Sequence, residues 1–135
     1  MDWIYQDTTI TEIPKDYIAM VYEITNLTSG RRYIGKKGFF FTKVKQVKGK
    51  KKKIKVDSDW SVYYGSNKEL LADIEKLGKE QFRREILYLC KSKGEASYLE
   101  AKEQFLRNAI LSEEYYNEYI MVRVRNTHLK GLAIP

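Results

Sequence analysis

Two tyrosines, one glutamate and a run of lysines are the residues of this chain whose types and spacing could do chemistry. Tyr22 and Tyr33 flank a turn-rich stretch, Thr25 to Gly30. There Asn26, Thr28 and Ser29 can bond their own backbone, and Gly30 tolerates positive φ. Apolar runs on either side, Ile18 to Ile24 and Arg32 to Gly35, predict a β-hairpin with a loop of about four residues. With Thr25 facing Gly30, Tyr22 falls opposite Tyr33, and opposed residues share a face. Two phenols then sit side by side, with Gly35, Lys36 and Lys37 at the strand's end. As residues alone, the pair reads first as cross-strand packing, since tyrosine is a good strand residue.

Glu103 is the most informative single position. A helix is predicted from about Glu95 to about Leu111, and on a wheel of about 100° per residue Ala96, Leu99, Leu106 and Ile110 form one apolar stripe. Glu103 interrupts it, while Glu95, Glu100, Lys102 and Arg107 occupy other faces. A carboxylate on a core-facing stripe costs several kcal/mol unless it is paired or metal-bound. Two readings stand at this point: a salt bridge to Arg83 or Arg84 on the preceding strand, or a divalent-cation ligand lining a cleft against the hairpin.

The formal net charge is +7, and its distribution carries more information than its size. Eight lysines and no acid lie between positions 43 and 55: Lys43, Lys45, Lys48, Lys50, Lys51, Lys52, Lys53 and Lys55. The remainder holds 17 basic residues against 18 acidic ones. Such a run can be merely a solvated face. Its mutual repulsion favours an anionic partner, with nucleic-acid phosphate ahead of an anionic membrane surface.

The elements that must position these residues follow from pattern. The 135 residues suit one domain, spanning 1–135. A hydrophobic fraction of 43% beside 32% charge excludes a disordered chain. No apolar run approaches the ~18 residues a membrane helix needs, and the N-terminus lacks the pattern of a signal peptide. The single Cys90 reads as a buried thiol in a reducing, cytoplasmic compartment. Residues 1–16 read as an irregular lead-in. After the hairpin, residues 38–60 form a predicted β-ribbon insert that turns at Lys48-Gly49-Lys50. Ser66 or Asn67 caps a helix over Lys68 to Leu77, and Gly78 ends it. Phe82 to Cys90 is the third strand, and Tyr119 to Arg125 a last strand or extended cover. The order β-β-ribbon-α-β-α describes a small α/β (α+β) domain with a short antiparallel sheet.

Val21-Tyr22, followed by Tyr33-Ile34-Gly35, resembles the signature of the GIY-YIG nuclease family, with Met20 where the family's opening glycine stands. The likeness runs from about Tyr17 to about Met121 and looks most like the phage-type, homing-endonuclease-like branch. It implies a three-stranded antiparallel sheet flanked by helices, and an endonuclease that hydrolyses DNA phosphodiester bonds with Mg²⁺ or Mn²⁺. By this resemblance Glu103 holds the metal in the stretch Glu103-Gln104-Phe105-Leu106, and Asn117 of Tyr116-Asn117 matches the family's asparagine. Tyr22 takes the proton of the attacking water and Tyr33 positions water or phosphate. The family's arginine has no clear counterpart, which leaves Lys36 and Lys37 as candidate phosphate contacts. The lysine run, together with Trp60, is expected to bind DNA. No separate recognition domain is visible, so specificity is low or comes from a protein partner. The rival expectation is a non-catalytic nucleic-acid-binding protein on the same scaffold.

Overall fold

The computed structural model describes residues 1–132. Five strands form one sheet: β1 (Trp3–Tyr5), β2 (Thr8–Ile10), β3 (Ala19–Asn26), β4 (Arg32–Gly38) and β7 (Phe82–Cys90), in the order β2-β1-β7-β3-β4. Two further strands, β5 (Phe40–Val47) and β6 (Lys50–Asp57), make a separate two-stranded sheet. Helix α1 (Lys68–Leu77) precedes β7, and α2 (Lys93–Leu106) follows it. The fold is mixed α+β, with its three predicted strands, β7-β3-β4, running antiparallel.

The lead-in is not irregular. β1 joins the sheet parallel to β7, and β2 folds back on β1. Between them Gln6 and Asp7 take positive φ, 48° and 64°. That is the geometry of a two-residue hairpin turn, here without the glycine that usually announces it.

The central hairpin turns one residue later than predicted on each side. Asn26 faces Arg31: its N–H donates to the Arg31 carbonyl at 2.8 Å, and its side-chain oxygen accepts from the Thr28 and Ser29 amides. The register pairs Thr25 with Arg32 and Tyr22 with Gly35, not with Tyr33. A shift of two residues leaves every side chain on its predicted face. Tyr22 and Tyr33 therefore remain neighbours, now diagonally, with ring centroids 6.2 Å apart. Gly35 is what permits this. A Cβ there would lie 2.3 Å from the Tyr22 hydroxyl oxygen and 2.9 Å from the Tyr33 ring. The Tyr22 phenol lies across β4 where only glycine leaves room.

Each face of the sheet carries its own core. Trp3, Met20, Tyr22, Ile24, Phe82 and Ile86 pack with Leu70 and Ile74 of α1. Ala19, Val21, Ile34 and Cys90 pack with Ala96 and Leu99 of α2. Helix α1 has the predicted bounds: Asn67 caps it by accepting the Leu70 amide, and Gly78 leaves it at φ 90°. Helix α2 is shorter than predicted. It stops at Leu106, and Asn108 turns the chain at φ 51°. Leu106 and Ile110 are 67% and 43% exposed, so they extend no buried stripe. Trp60 is also placed differently from expectation. It is buried, edge-on to Phe39, and does not offer its ring to a nucleic-acid base. Residues 118–125 form no strand. Among the described residues no helix is long and apolar enough to cross a membrane.

Candidate active site

A cleft of about 530 Å³ opens at the β4 edge of the sheet. Tyr22 and Tyr33 enter it from the hairpin, Lys36 from further along β4, and Glu100 and Gln104 from α2. Ser66, Asn67 and Lys68 bring the N-terminus of α1 to its rim, and Asn117 closes another side. A wider depression of about 750 Å³ lies elsewhere, between residues 11–18 and the base of the ribbon. It contains neither tyrosine of the pair, so the smaller cleft is the candidate site.

Two carboxylates line the cleft, the half-buried Glu100 and the exposed Glu118; Glu100 is the one set into its wall. Burial pushes its pKa up to about 7, and the side chain and backbone N–H of Lys36 offset only part of that cost. Gln104, one helical turn on, shares its face. The Gln104 amide nitrogen donates to the Ile34 carbonyl at 3.1 Å, while its Oε1 is buried with no partner among the described residues. The Lys36 ammonium sits beside Glu100 and donates to Ser97 Oγ at 2.6 Å. The Glu100 carboxylate, the free Gln104 amide oxygen, the Tyr22 and Tyr33 phenols and the Lys36 ammonium thus share the cleft, with the more exposed Lys68, Glu118 and Tyr119 also lining it. Among the described residues no group of three or more His, Cys, Asp or Glu side chains is placed to hold a metal. The donor set suits a hard cation that keeps most of its waters and takes further oxygens from a phosphate, as Mg²⁺ does.

Glu103 faces elsewhere. Its Oε1 accepts from the Tyr88 hydroxyl at 2.6 Å and its Oε2 from Arg107 Nε at 3.0 Å. Despite the cost of burial, these partners hold its pKa below the ordinary value. Arg107 also pairs with Glu23, so Glu103 belongs to an ion-pair network over the α2 face of the sheet. Neither Arg83 nor Arg84 is its partner. Arg83 pairs with Glu85, and Arg84 donates to the carbonyls of Met1 and Tyr63.

The two phenols differ in environment. Burial first, then Tyr33 and Tyr63, raise the Tyr22 pKa well above the usual phenol value. The Tyr33 pKa is raised too, chiefly by burial, while its hydroxyl lies 3.4 Å from Ser66 Oγ. Asn117 spends its whole amide on one residue: its Oδ1 accepts from the Ile34 N–H at 3.0 Å and its Nδ2 donates to the Ile34 carbonyl at 2.8 Å. Lys37 does not line the cleft. It forms a 2.7 Å ion pair with Asp59 and lies 4.1 Å from the centre of the Tyr63 ring. The structure therefore gathers Tyr22, Tyr33, Lys36 and Asn117 of the expected residues, and leaves Lys37, Glu103 and Trp60 outside.

Glu100 is not among the residues expected from the sequence, yet one signal for it is present there. Glu103 has Arg107 at i+4, a ready-made helical ion pair. Glu100 has Ser97, Ala96, Glu103 and Gln104 at its helical neighbour positions, and none is a cation.

Residues 3–120 match the family model described as "Putative endonuclease segE, GIY-YIG domain". A relative described as "Putative endonuclease segE", from Enterobacteria phage T4, is 34% identical over 97 residues, which are 72% of this chain and 38% of the relative. The chain therefore spans well under half the length of that curated relative. No solved structure matches the chain.

Proposed function

The chain belongs to the GIY-YIG endonuclease family, and on that premise we propose that it is a divalent-metal-dependent DNA endonuclease whose metal ligand is Glu100. The observation that carries this reading is the half-buried carboxylate without a basic partner on its own helix, set in one cleft with Tyr22, Tyr33 and Lys36. Glu103, the expectation from the motif, is already hydrogen-bonded by Tyr88 and ion-paired with Arg107.

Glu100 would hold the cation, with Gln104 Oε1 free to accept from a water around it. When bound, the cation supplies positive charge where the phosphoryl and leaving oxygens gain negative charge. The remaining work falls to the chain. Lys36 contacts a phosphate oxygen from the cleft wall, and the α1 N-terminus at the rim favours an anion. Tyr33 is placed to orient the phosphate or the water. With its pKa raised, Tyr22 stays protonated at neutral pH, so its hydroxyl orients the attacking water more readily than it removes a proton unaided. Asn117 is a positioning residue: it holds Ile34, and with it the flanking Tyr33 and Gly35.

The test is incubation of supercoiled plasmid with the protein in Mg²⁺ or in EDTA. Nicked and linear products in Mg²⁺, and none in EDTA, are expected. Binding without cleavage in either condition would replace the enzyme by a non-catalytic DNA-binding protein.

A further inference from the structure

We propose that one particular face of the β5–β6 ribbon, the face carrying Lys43, Lys45, Lys50 and Lys52, is applied to duplex DNA, and that the opposite face is not. This rests on the endonuclease reading and adds how the duplex is held.

The register sorts the lysines. Opposed residues project to one side. Phe41 faces Val56, Lys43 faces Ile54, Lys45 faces Lys52 and Val47 faces Lys50. On this first side, lysines come from both strands. The second side has Phe40 against Asp57, Thr42 against Lys55, Val44 against Lys53 and Gln46 against Lys51. Its lysines form a single file on β6. Lys48 lies in the turn, with Gly49, and both take positive φ.

Two consequences separate the sides. First, Lys45 directly opposes Lys52, and like charges in that position destabilise a strand pair. Bound phosphate turns that repulsion into attraction, so this side gains most from a polyanion. On the second side every lysine opposes a neutral residue. Second, the first side is continuous with the tyrosine face of the main sheet. The Lys37 ammonium lies 5.2 Å from the Phe41 ring centre and 4.1 Å from that of Tyr63. Tyr63 in turn meets Tyr22 edge-on at 6.1 Å. The second side leads away from the cleft. Its Lys55 lies 5.8 Å from the centre of the Phe40 ring, and Phe40 lines the depression beside residues 11–18.

The shape suits the partner. Two strands about 4.8 Å apart and roughly 27 Å long fit a major groove about 12 Å wide. Phosphates border a groove on both sides, and lysines on both strands can reach both. A single file reaches one.

The test compares two triple variants, K43Q/K45Q/K52Q and K51Q/K53Q/K55Q. Each removes the same charge from the same ribbon, so long-range attraction changes equally. The ribbon strands are not hydrogen-bonded into the main sheet, and both variants are expected to melt like wild type. Affinity for a short duplex is measured in EDTA across a salt series. The first triple should lower the slope of log K against log salt by about 2.7, roughly 0.9 per phosphate contact, and the second by less than about one contact on that rule. Equal losses, or a larger loss in the second triple, overturn the face assignment. If wild type then still binds duplex and cuts plasmid, the endonuclease reading survives. A wild type that neither binds nor cuts duplex overturns both.

Discussion

At the scale of residues, the cleft separates two glutamates on one helix. Glu103 has an ion-pair partner and a lowered pKa, while burial outweighs the nearby Lys36 at Glu100 and pushes its pKa up to about 7. The second condition makes a pH-dependent liability. The carboxyl of the unfolded chain titrates near 4.3, whereas in the folded chain it titrates near 7. A carboxyl with a raised folded pKa costs stability as pH climbs from the first value to the second, and the cost then stays constant. Glu100→Gln removes the charge and that cost. Its melting temperature should therefore match wild type near pH 4.5 and exceed it at pH 8 without metal. A thermal scan at the two pH values checks this, and an equal difference at both would mean Glu100 is not the desolvated acid described. The wheel singles out Glu103 and sets Glu100 on another face, because it counts Leu106 and Ile110 as part of a buried stripe, although both are exposed. The αL turn at Asn108 ends that stripe, and only the i+4 position of Arg107 hinted at it.

At the scale of elements, the legible parts are those whose boundaries are written in residue chemistry. Helix α1 runs from its Asn67 cap to Gly78, and β7 from Phe82 to Cys90, as read from caps and β-formers. The face shared by Tyr22 and Tyr33 was legible because strand period survives a register shift of two. Three features were not. The Gln6-Asp7 turn has no glycine. The end of α2 depends on a left-handed asparagine. The cover of the β4 edge is a long-range contact that no local pattern encodes. There the Arg32 N–H donates to the Glu114 carbonyl, the Tyr116 N–H donates to the Arg32 carbonyl, and Asn117 takes both groups of Ile34. Residues 114–117 thus satisfy an edge that would otherwise be open to other strands. Asn117→Ala strands the buried Ile34 N–H, while the Ile34 carbonyl keeps the Gln104 amide, and should cost about 1–3 kcal/mol. Urea denaturation measures it. Unchanged stability would show that the clamp contributes nothing to the fold.

At the scale of the whole molecule, the lysine run and the tyrosine pair are held in separate sheets. The basic ribbon shares no ladder with the sheet that carries the cleft. Replacing residues 43–55 by a two-residue turn removes eight lysines and no acid, taking the formal net charge from +7 to −1. The fold should persist, with a melting temperature close to wild type, while duplex affinity at low salt collapses. A variant that fails to fold would show the ribbon to be part of the core. The cleft itself is tested most directly by single-turnover cleavage of plasmid at saturating protein in Mg²⁺, with Glu100→Gln beside Glu103→Gln. Both are charge-neutralising and lie one helical turn apart, so each controls for the other. Loss of a carboxylate that holds the metal should lower the rate by at least about a thousandfold, equivalent to roughly 4 kcal/mol of barrier. Glu103→Gln should retain the rate within about tenfold, because its loss breaks an ion pair outside the cleft, worth about 1.4 kcal/mol or less of barrier. An active Glu100→Gln beside a dead Glu103→Gln would contradict the assignment and return the metal to Glu103.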